Sequence, residues 1–175
     1  IRDRLNYSVD YVGNPSVDSV AYYKEHQAIP KDTFIKEEGL ANKPILALLS
    51  GSRKQEIKDN LPTMLKVASA YPDYQPVIAG APGIDPAYYQ EYIGSYPAKI
   101  VFGKTYPLLQ HSAAALVTSG TATLETALFR VPQVVCYYVV AGQLASFIFK
   151  HFFHTKYISL VNLIGGREIV QELFG

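Results

Sequence analysis

AAALVTSGTATLETALFRVPQVVC, residues 113–136, is the stretch that decides the fold of this chain. Residues 113–117 are all apolar and predict a buried strand. A small polar turn, 118–121, leads into a predicted helix over 121–129, and 133–136 is a second apolar strand. Continuous apolar runs are typical of parallel strands that are covered on both faces, because neither face meets water. The stretch therefore predicts a strand–turn–helix–strand unit of a parallel sheet.

The polar turn of this unit has the features of an anion site. Gly120 lets the backbone come close to a ligand, and Ser119 or Thr121 can cap the helix that follows. A helix start at the carboxyl end of a parallel strand presents free N–H groups and the positive end of the helix dipole. We predict a nucleotide diphosphate there, with Glu125 accepting hydrogen bonds from a ribose diol. The alternative is a capped helix with Glu125 on a solvated face.

The same strand, glycine turn and helix alternate along the chain. Strands are predicted over 44–49, 75–79 and 99–102, and helices over 55–70, 86–93 and 106–112. Pro62 lies inside the first helix and predicts a break or kink just before it. This alternation is typical of an α/β fold with a doubly wound, mostly parallel, Rossmann-like sheet. Ligands bind such sheets at the carboxyl ends of the strands, where the glycine turns lie.

The ends of the chain carry weaker patterns. Residues 9–12, before Gly13-Asn14-Pro15, are either a short strand running into a turn or an interdomain hinge. Residues 21–40 predict a loop and a short helix. Beyond the central unit we expect a helix over 143–153, an extended segment over 157–161 and a final helix over 167–174.

Three further features near strand ends are site candidates. Ser50-Gly51-Ser52-Arg53 follows the first apolar strand, and its arginine can grip phosphate oxygens in a bidentate manner. The alternative is an ordinary tight turn with a solvated guanidinium. Gly103 could let a base stack on the backbone or form a hydrogen bond with it, although the pattern at Gly103 by itself favours a plain turn. Asn162 is a turn residue whose amide could also reach a ligand.

Composition excludes several classes of function. The 175 residues suffice for one well-buried domain, and the net charge of +1 gives no electrostatic case for nucleic acid. One cysteine excludes an internal disulfide, and the four histidines have no metal-ligand spacing, so we expect no metal. No apolar run reaches the length of about 18 residues that a membrane span needs. The sequence shows no residue pattern that indicates a general base for catalysis. It begins without Met, so we expect a piece of a longer protein.

An aromatic and basic cluster occupies residues 147–154. Aromatic rings and a lysine on one helix suit a membrane surface, with rings at acyl depth and cations on headgroups. The alternative is a helix that packs against another domain. The residues concerned are Phe147, Phe149, Lys150, Phe152 and Phe153.

Three segments resemble the C-terminal half of the lipid-A-disaccharide synthase family, glycosyltransferase family 19 of the GT-B type: LLSGSRKQEI (48–57), VTSGTATLETALFRVPQVVCYYV (117–139) and ISLVNLIGGREIVQEL (158–173). YVGNP (11–15) is similar to the hinge of that family, in which His is usual at Asn14 and a larger apolar residue is usual at Ser16. In the loop after the first strand, the family usually has Pro at the position of Ser50. The resemblance implies a hinge over 1–20 and a UDP-sugar-binding Rossmann-like domain over 21–175. The acceptor domain and the extreme C-terminus would then be absent.

The resemblance also implies an activity. Family members transfer a sugar from UDP-2,3-diacylglucosamine to 2,3-diacylglucosamine 1-phosphate, which gives the β-1,6-linked lipid A disaccharide 1-phosphate and UDP. It implies no cofactor or metal, an N-terminal domain that supplies the base, and a cytoplasmic location at the inner membrane of Gram-negative bacteria. The resemblance also implies that C-terminal segments can exchange between the two subunits of a homodimer. Whether this chain forms one is left open.

Site residues follow from the same resemblance. It assigns the diphosphate to Ser52, Arg53, Ser119, Gly120 and Thr121, and it assigns the ribose to Glu125. Gly103 and Asn162 are further UDP-site candidates, and this half of the protein carries no catalytic base. Two other hypotheses stay open: another GT-B UDP-sugar enzyme, either a transferase or an epimerase, or a non-catalytic nucleotide-binding module.

Overall fold

A single parallel sheet of six strands organises the described part of the chain. The computed structural model describes residues 8, 10, 12–118, 120–137 and 157–174. The strand order is β3-β2-β1-β4-β5-β6, and every neighbouring pair is parallel. The strands are β1 (Ile45–Leu49), β2 (Gln75–Gly80), β3 (Lys99–Phe102), β4 (Ser112–Thr118), β5 (Gln133–Tyr137) and β6 (Gln171–Phe174).

The described helices cover both faces of this sheet. They are α1 (Pro15–His26), α2 (Lys31–Glu37), α3 (Lys54–Ser69), α4 (Pro86–Ile93), α5 (Thr105–His111), α6 (Thr121–Leu128) and α7 (Leu160–Gly165). Side chains of a strand alternate between faces, so β1 divides the core in two. Leu46 and Leu48 pack with α3 and α4, whereas Ala47 and Leu49 pack with α2 and α5. The doubly wound α/β fold predicted from the sequence is confirmed.

The strand order places a topological switch point between β1 and β4. From β1 the chain proceeds outward through β2 to β3, and it then returns by α5 to place β4 on the other side of β1. The connections on the two sides leave on opposite faces, so a crevice opens between the carboxyl ends of these two strands. Ligands of doubly wound sheets bind in that crevice.

The central unit and the helices before it agree with the sequence pattern. The strands at 112–118 and 133–137 and the helix Thr121–Leu128 appear where the apolar runs predicted them. The break expected near Pro62 was wrong, because α3 continues through that residue from Lys54 to Ser69. Burial of one apolar side of α3 against the sheet outweighs the hydrogen bond that proline removes.

The C-terminal prediction of a helix over 167–174 was wrong. Residues 171–174 form β6, which pairs with β5, with Cys136 opposite Leu173. The helix of this region is α7, which starts at Leu160 inside the segment predicted to be extended and ends at Gly165, where Gly166 caps it with a φ of 63°. A four-residue pattern is too short to separate strand from helix, so the free edge of β5 decides the outcome.

The N-terminal part contains more helix than expected. Residues 21–40 hold the end of α1 and all of α2, where the sequence predicted a loop and one short helix. Asn14 caps α1 in an extended conformation by accepting a hydrogen bond from the Ser16 N–H at 3.0 Å. Residues 9 and 11 of the predicted strand 9–12, and the whole predicted helix 143–153, lie outside the described residues.

Candidate functional site

The loops that follow β1 and β4 lie side by side at the switch point. We call residues 50–53 the β1 loop and residues 118–121 the β4 loop. Leu49 and Val117, the residues just before them, are direct partners in the sheet. The first loop starts α3 and the second starts α6, so two helix N-termini open onto one crevice. The structure thus brings Arg53 and Gly120 to the same edge of the sheet.

The donors of the β1 loop are bound by a carboxylate of the chain itself. Glu56 Oε2 accepts hydrogen bonds from the Ser52 N–H at 2.8 Å and from the Arg53 N–H at 3.3 Å. Glu56 Oε1 accepts from Arg53 Nη1 at 3.0 Å, while the Arg53 side chain stays 81% exposed. Two backbone N–H groups and a guanidinium therefore already hold one anionic group. This arrangement shows that the loop can cradle an anion.

Gly51 is what allows that carboxylate to approach. Its φ of +108° is a conformation that other residues rarely adopt. A Cβ built on Gly51 would lie 2.5 Å from Glu56 Cβ and 2.6 Å from Glu56 Oε2. The glycine is therefore required both by the backbone and by the packing of Glu56.

The β4 loop differs because no described side chain caps its helix. Gly120 is the N-cap of α6, with a φ of 137° and a ψ of −158° that only glycine adopts easily. Thr121 is exposed in the first turn of the helix, and Ser119 lies outside the described residues. The Thr123 hydroxyl donates to the Gly120 carbonyl oxygen at 2.9 Å, which fixes the start of α6. The helix N-terminus therefore faces the crevice without a side-chain acceptor among the described residues.

Glu125 lies one turn further along α6 and is held by a tyrosine of α5. The Tyr106 hydroxyl donates to Glu125 Oε1 at 2.9 Å. Burial and the neighbouring Glu125 carboxylate raise the pKa of Tyr106 to about 12. Among the described residues Tyr106 is the hydrogen-bond partner of Glu125, so the carboxylate keeps accepting capacity for a ligand.

Two buried hydroxyls lie under the crevice without a described partner. Ser50 is fully buried and Thr118 is 8% exposed, and neither hydroxyl oxygen has a hydrogen-bond partner within the described residues. They directly follow Leu49 and Val117, a paired couple of the sheet. A buried polar group without a partner costs about 1–3 kcal/mol, and such groups collect at functional sites.

Gly103 does not lie with this group. It follows β3, the outer strand of the sheet, and its φ of 64° marks it as a turn glycine. Two strand spacings of about 4.8 Å put the end of β3 roughly 10 Å from the end of β1. A ligand that binds at the switch point would have to extend along the sheet edge to reach Gly103.

Asn162 has a structural role in the fold. Its side chain is fully buried, and its Oδ1 accepts hydrogen bonds from the Ile169 and Val170 N–H groups at 2.7 and 2.9 Å. Its Nδ2 donates to Glu172 Oε1 at 2.8 Å and to the Val170 carbonyl oxygen at 2.8 Å. All its polar atoms are therefore used to fasten α7 to β6.

Glu172 completes the same internal network. Burial raises its pKa, but donors from Ser159, Ile158 and Asn162 outweigh burial, so the pKa of this carboxyl lies below its ordinary value. Its carboxylate is saturated by the fold, in contrast to that of Glu125.

An apolar groove of about 470 Å³ lies elsewhere, between α3 and strands β4 to β6. Its walls include Met64, Leu116, Cys136 and Leu173, and none of the residues of the two loops. Apolar grooves of this size are common ligand sites in proteins. The chemistry favours the crevice instead, because the guanidinium of Arg53 and the N-terminus of α6 belong to loops that follow neighbouring strands.

Sequence reasoning missed three of these features. Glu56 stands three residues after Arg53, the spacing of a capping box, and that signal was available. The contact between Tyr106 and Glu125 joins residues 19 positions apart on different helices, and no local pattern predicts it. Ser50 and Thr118 come to neighbouring strand ends because Leu49 pairs with Val117, and the sequence does not state that strand order.

The described part of the chain contains no cluster of three or more histidine, cysteine or acidic side chains that could hold a metal ion. In the same residues, no helix has the length and apolar character needed to cross a bilayer. The predicted membrane contact, Phe147, Phe149, Lys150, Phe152 and Phe153, lies outside the described residues.

Comparison with known protein families gives one match over almost the whole chain. The family model described as lipid-A-disaccharide synthetase covers residues 3–175. Curated relatives carry the name lipid-A-disaccharide synthase. The one from Solibacter usitatus is 32% identical over 175 residues, which cover 97% of this chain and 44% of the relative. The one from Psychromonas ingrahamii is 34% identical over 98% of this chain and 45% of the relative.

A third relative of that name, from an Anaeromyxobacter strain, is 36% identical over 82% of this chain. The chain spans less than half the length of these curated relatives.

Solved structures give weaker similarity. UDP-GlcNAc 2-epimerase from Methanocaldococcus jannaschii, in complex with UDP-GlcNAc and UDP, has a TM-score of 0.49 and 16% identity, over 72% of this chain and 38% of that one. A glycosyl transferase of family 9 from Veillonella parvula has a TM-score of 0.47 and 13% identity, over 89% of this chain and 51% of that one. Similarity at this level says nothing about ligand or activity.

Proposed function

Because the chain belongs to the lipid-A-disaccharide synthetase family, we propose that it is the part of a GT-B glycosyltransferase that binds the UDP portion of a UDP-diacylglucosamine donor. The complete enzyme would transfer the acylated sugar to 2,3-diacylglucosamine 1-phosphate and release UDP. The observation that carries the proposal is the meeting of the β1 loop and the β4 loop at the switch point of the sheet.

The diphosphate would lie between the two loops. The N-terminus of α6, which no described side chain caps, would offer N–H groups and a favourable dipole, and Arg53 would bring an exposed guanidinium from the other side. Ser52, Ser119, Gly120 and Thr121 would contribute backbone and hydroxyl donors. These groups would stabilise the charge that develops on the departing UDP, which is the role that a metal has in other enzymes.

The ribose would bind to Glu125. A carboxylate accepts two hydroxyl donors, and Glu125 lies one helical turn beyond the proposed phosphate position. Gly103 would then mark the direction in which the base extends along the strand ends. Asn162 is left out of the proposed ligand contacts, since the fold already uses its amide.

The remaining partners belong to the complete protein. The acceptor lipid and the general base would come from the part of the relatives that this chain does not span. Phe147, Phe149, Lys150, Phe152 and Phe153 are the proposed contact with the cytoplasmic face of the inner membrane. The 175-residue chain would bind UDP without transferring sugar, and sugar transfer by it would contradict this part of the proposal.

Titration calorimetry with UDP and with uridine tests the binding site. Wild type should bind UDP, and Arg53→Ala should weaken UDP binding about 10-fold while leaving uridine binding unchanged. Glu125→Ala should weaken both ligands by about 10-fold or more, because each has the ribose. Glu91→Ala is the matched control, since it removes an exposed carboxylate from α4.

Two results would overturn the assignment. Absence of UDP binding by a folded wild-type chain would remove the nucleotide site. Equal effects of Glu125→Ala and Glu91→Ala would remove the ribose contact while leaving the phosphate contacts in place.

A further inference from the structure

We infer that Tyr106 is a positioning residue that orients the Glu125 carboxylate for the ribose hydroxyls, and so sets the preference of the site for ribonucleotides over deoxyribonucleotides. The inference rests on the proposed UDP site. It adds Tyr106 to that site, although no sequence motif singles this residue out. Tyr106 acts through Glu125 and is not proposed to touch the ligand.

The contact between the two side chains has a defined direction. The Tyr106 hydroxyl lies 2.9 Å from Glu125 Oε1, and an ionised carboxylate only accepts, so the phenol donates. Its pKa of about 12, raised by burial and by Glu125 itself, keeps the phenol protonated at neutral pH. The Tyr106 phenol thus occupies Glu125 Oε1, and Oε2 has no hydrogen-bond donor among the described residues.

Aromatic packing fixes the ring that carries this hydroxyl. Tyr106 meets Tyr23 of α1 edge to face, with ring centroids 5.5 Å apart, and Phe129 at 5.4 Å. Tyr23 is itself buried, and its hydroxyl donates to Gln110 Oε1 at 2.7 Å. The donor to Glu125 therefore comes from a ring that three elements hold in place.

A second link ties the same elements together. Lys24 of α1 donates from Nζ to the Leu128 carbonyl oxygen at 2.8 Å and lies 5.0 Å from the Phe129 ring centroid. The C-terminal end of α6 is thereby anchored to α1, with a cation at the negative end of the helix dipole. Helix α6 cannot easily turn relative to Tyr106, so the carboxylate keeps one orientation.

Pre-orientation matters because a ribose diol needs a carboxylate oxygen in a defined place. A free glutamate side chain loses rotamer freedom on binding, and that loss subtracts from affinity. Because Tyr106 holds Glu125 Oε1, the glutamate side chain loses its rotamer freedom when the chain folds and not when the ligand binds. A ligand without the 2′ hydroxyl keeps only the 3′ hydroxyl as a donor to Glu125, so it gains less from this arrangement, and the benefit appears as discrimination between ribose and deoxyribose.

The test compares UDP with 2′-deoxyuridine diphosphate by calorimetry on wild type and Tyr106→Phe. The substitution removes the hydroxyl and keeps the packed ring. We expect UDP to bind about 3- to 10-fold more weakly to Tyr106→Phe. Binding of the deoxy ligand should change less than twofold, so the preference for UDP shrinks. Tyr92→Phe is the control, because it removes a hydroxyl on the other face of the sheet, where Tyr92 donates to the Tyr88 hydroxyl at 3.1 Å. It should leave the preference for UDP over the deoxy ligand unchanged.

A double-mutant cycle separates positioning from a general structural effect. In a Glu125→Ala background, Tyr106→Phe should weaken UDP binding no further, because the group through which it acts is gone. An equal loss of both ligands in Tyr106→Phe, or an unchanged preference, would overturn the inference while wild type still binds UDP. Failure of wild type to bind UDP would instead overturn the proposed function.

Discussion

The two loops at the switch point share a position in the fold and differ in what they hold. Both follow neighbouring parallel strands, and both start a helix. In the β1 loop Glu56 takes up the Ser52 and Arg53 backbone donors and the guanidinium. In the β4 loop the helix starts at Gly120 with no side-chain cap among the described residues. The protein fills the first anion cradle with Glu56, whereas no side chain among the described residues fills the second.

This difference predicts that the two loops contribute unequally to phosphate binding. A diphosphate in the proposed site would displace none of the described side chains at the β4 loop, whereas Glu56 would have to give up part of its contacts in the β1 loop. We therefore expect the β4 loop to provide most of the phosphate affinity. Arg53, exposed and attached by one contact at 3.0 Å, would turn toward the ligand at little cost.

The largest expected effect comes from the glycines of the two loops. Gly51→Ala should destabilise the fold by about 3 kcal/mol or more, because both the backbone conformation and the Glu56 Cβ at 2.5 Å oppose a side chain. Gly120→Ala should cost about 1–3 kcal/mol from backbone strain alone, since nothing lies within 4 Å of its built Cβ. Urea denaturation gives the two free energies of unfolding.

Gly83→Ala is the control for this pair, because its φ is not positive and no atom lies within 4 Å of a built Cβ. It should change the free energy of unfolding by less than about 1 kcal/mol. Equal costs at Gly51 and Gly120 would contradict the view that Glu56 closes only the first loop.

The second effect concerns the carboxylate that fills the β1 loop. Glu56→Gln keeps the shape of the side chain and removes its charge, so a diphosphate competes more easily for the guanidinium. UDP should bind about 2- to 5-fold more tightly, and α3 should lose roughly 0.5–1 kcal/mol of N-terminal stabilisation. Calorimetry and thermal unfolding measure the two changes, with Glu91→Gln as the control for charge alone. Weaker UDP binding would mean that Glu56 positions Arg53 and does not compete with the ligand.

The smallest effect on stability is expected at the two buried hydroxyls beneath the loops. Ser50→Ala and Thr118→Val replace oxygens that have no described partner, so the ligand-free fold should change by less than about 1 kcal/mol or become slightly more stable. If the hydroxyls serve the ligand, UDP binding should fall about 2- to 5-fold. A destabilisation of more than about 2 kcal/mol would show that these hydroxyls are bonded inside the fold.

Much of the candidate site could be proposed from the sequence because its signals are local. The apolar run before the β4 loop, the glycine at its turn and the glutamate one helical turn later all lie within 13 consecutive residues, 113–125. Glu56 also had a local signal, the spacing of a capping box. Its contacts with the β1 loop depend on the positive φ of Gly51, which the sequence alone does not give. Asn162 was a weaker inference: a polar residue beside a predicted strand end, which the fold uses to hold α7 against β6.

The sequence by itself determined a doubly wound parallel sheet and two strand-end loops with anion-binding chemistry, because apolar periodicity and turn chemistry act over a few residues. Tertiary structure alone decided that β1 and β4 are neighbours, that residues 171–174 extend the sheet, and that Tyr106 meets Glu125. Those outcomes depend on pairing and packing between segments far apart in the chain. The favourable free energy of those contacts is gained only when the distant segments come together in the folded sheet.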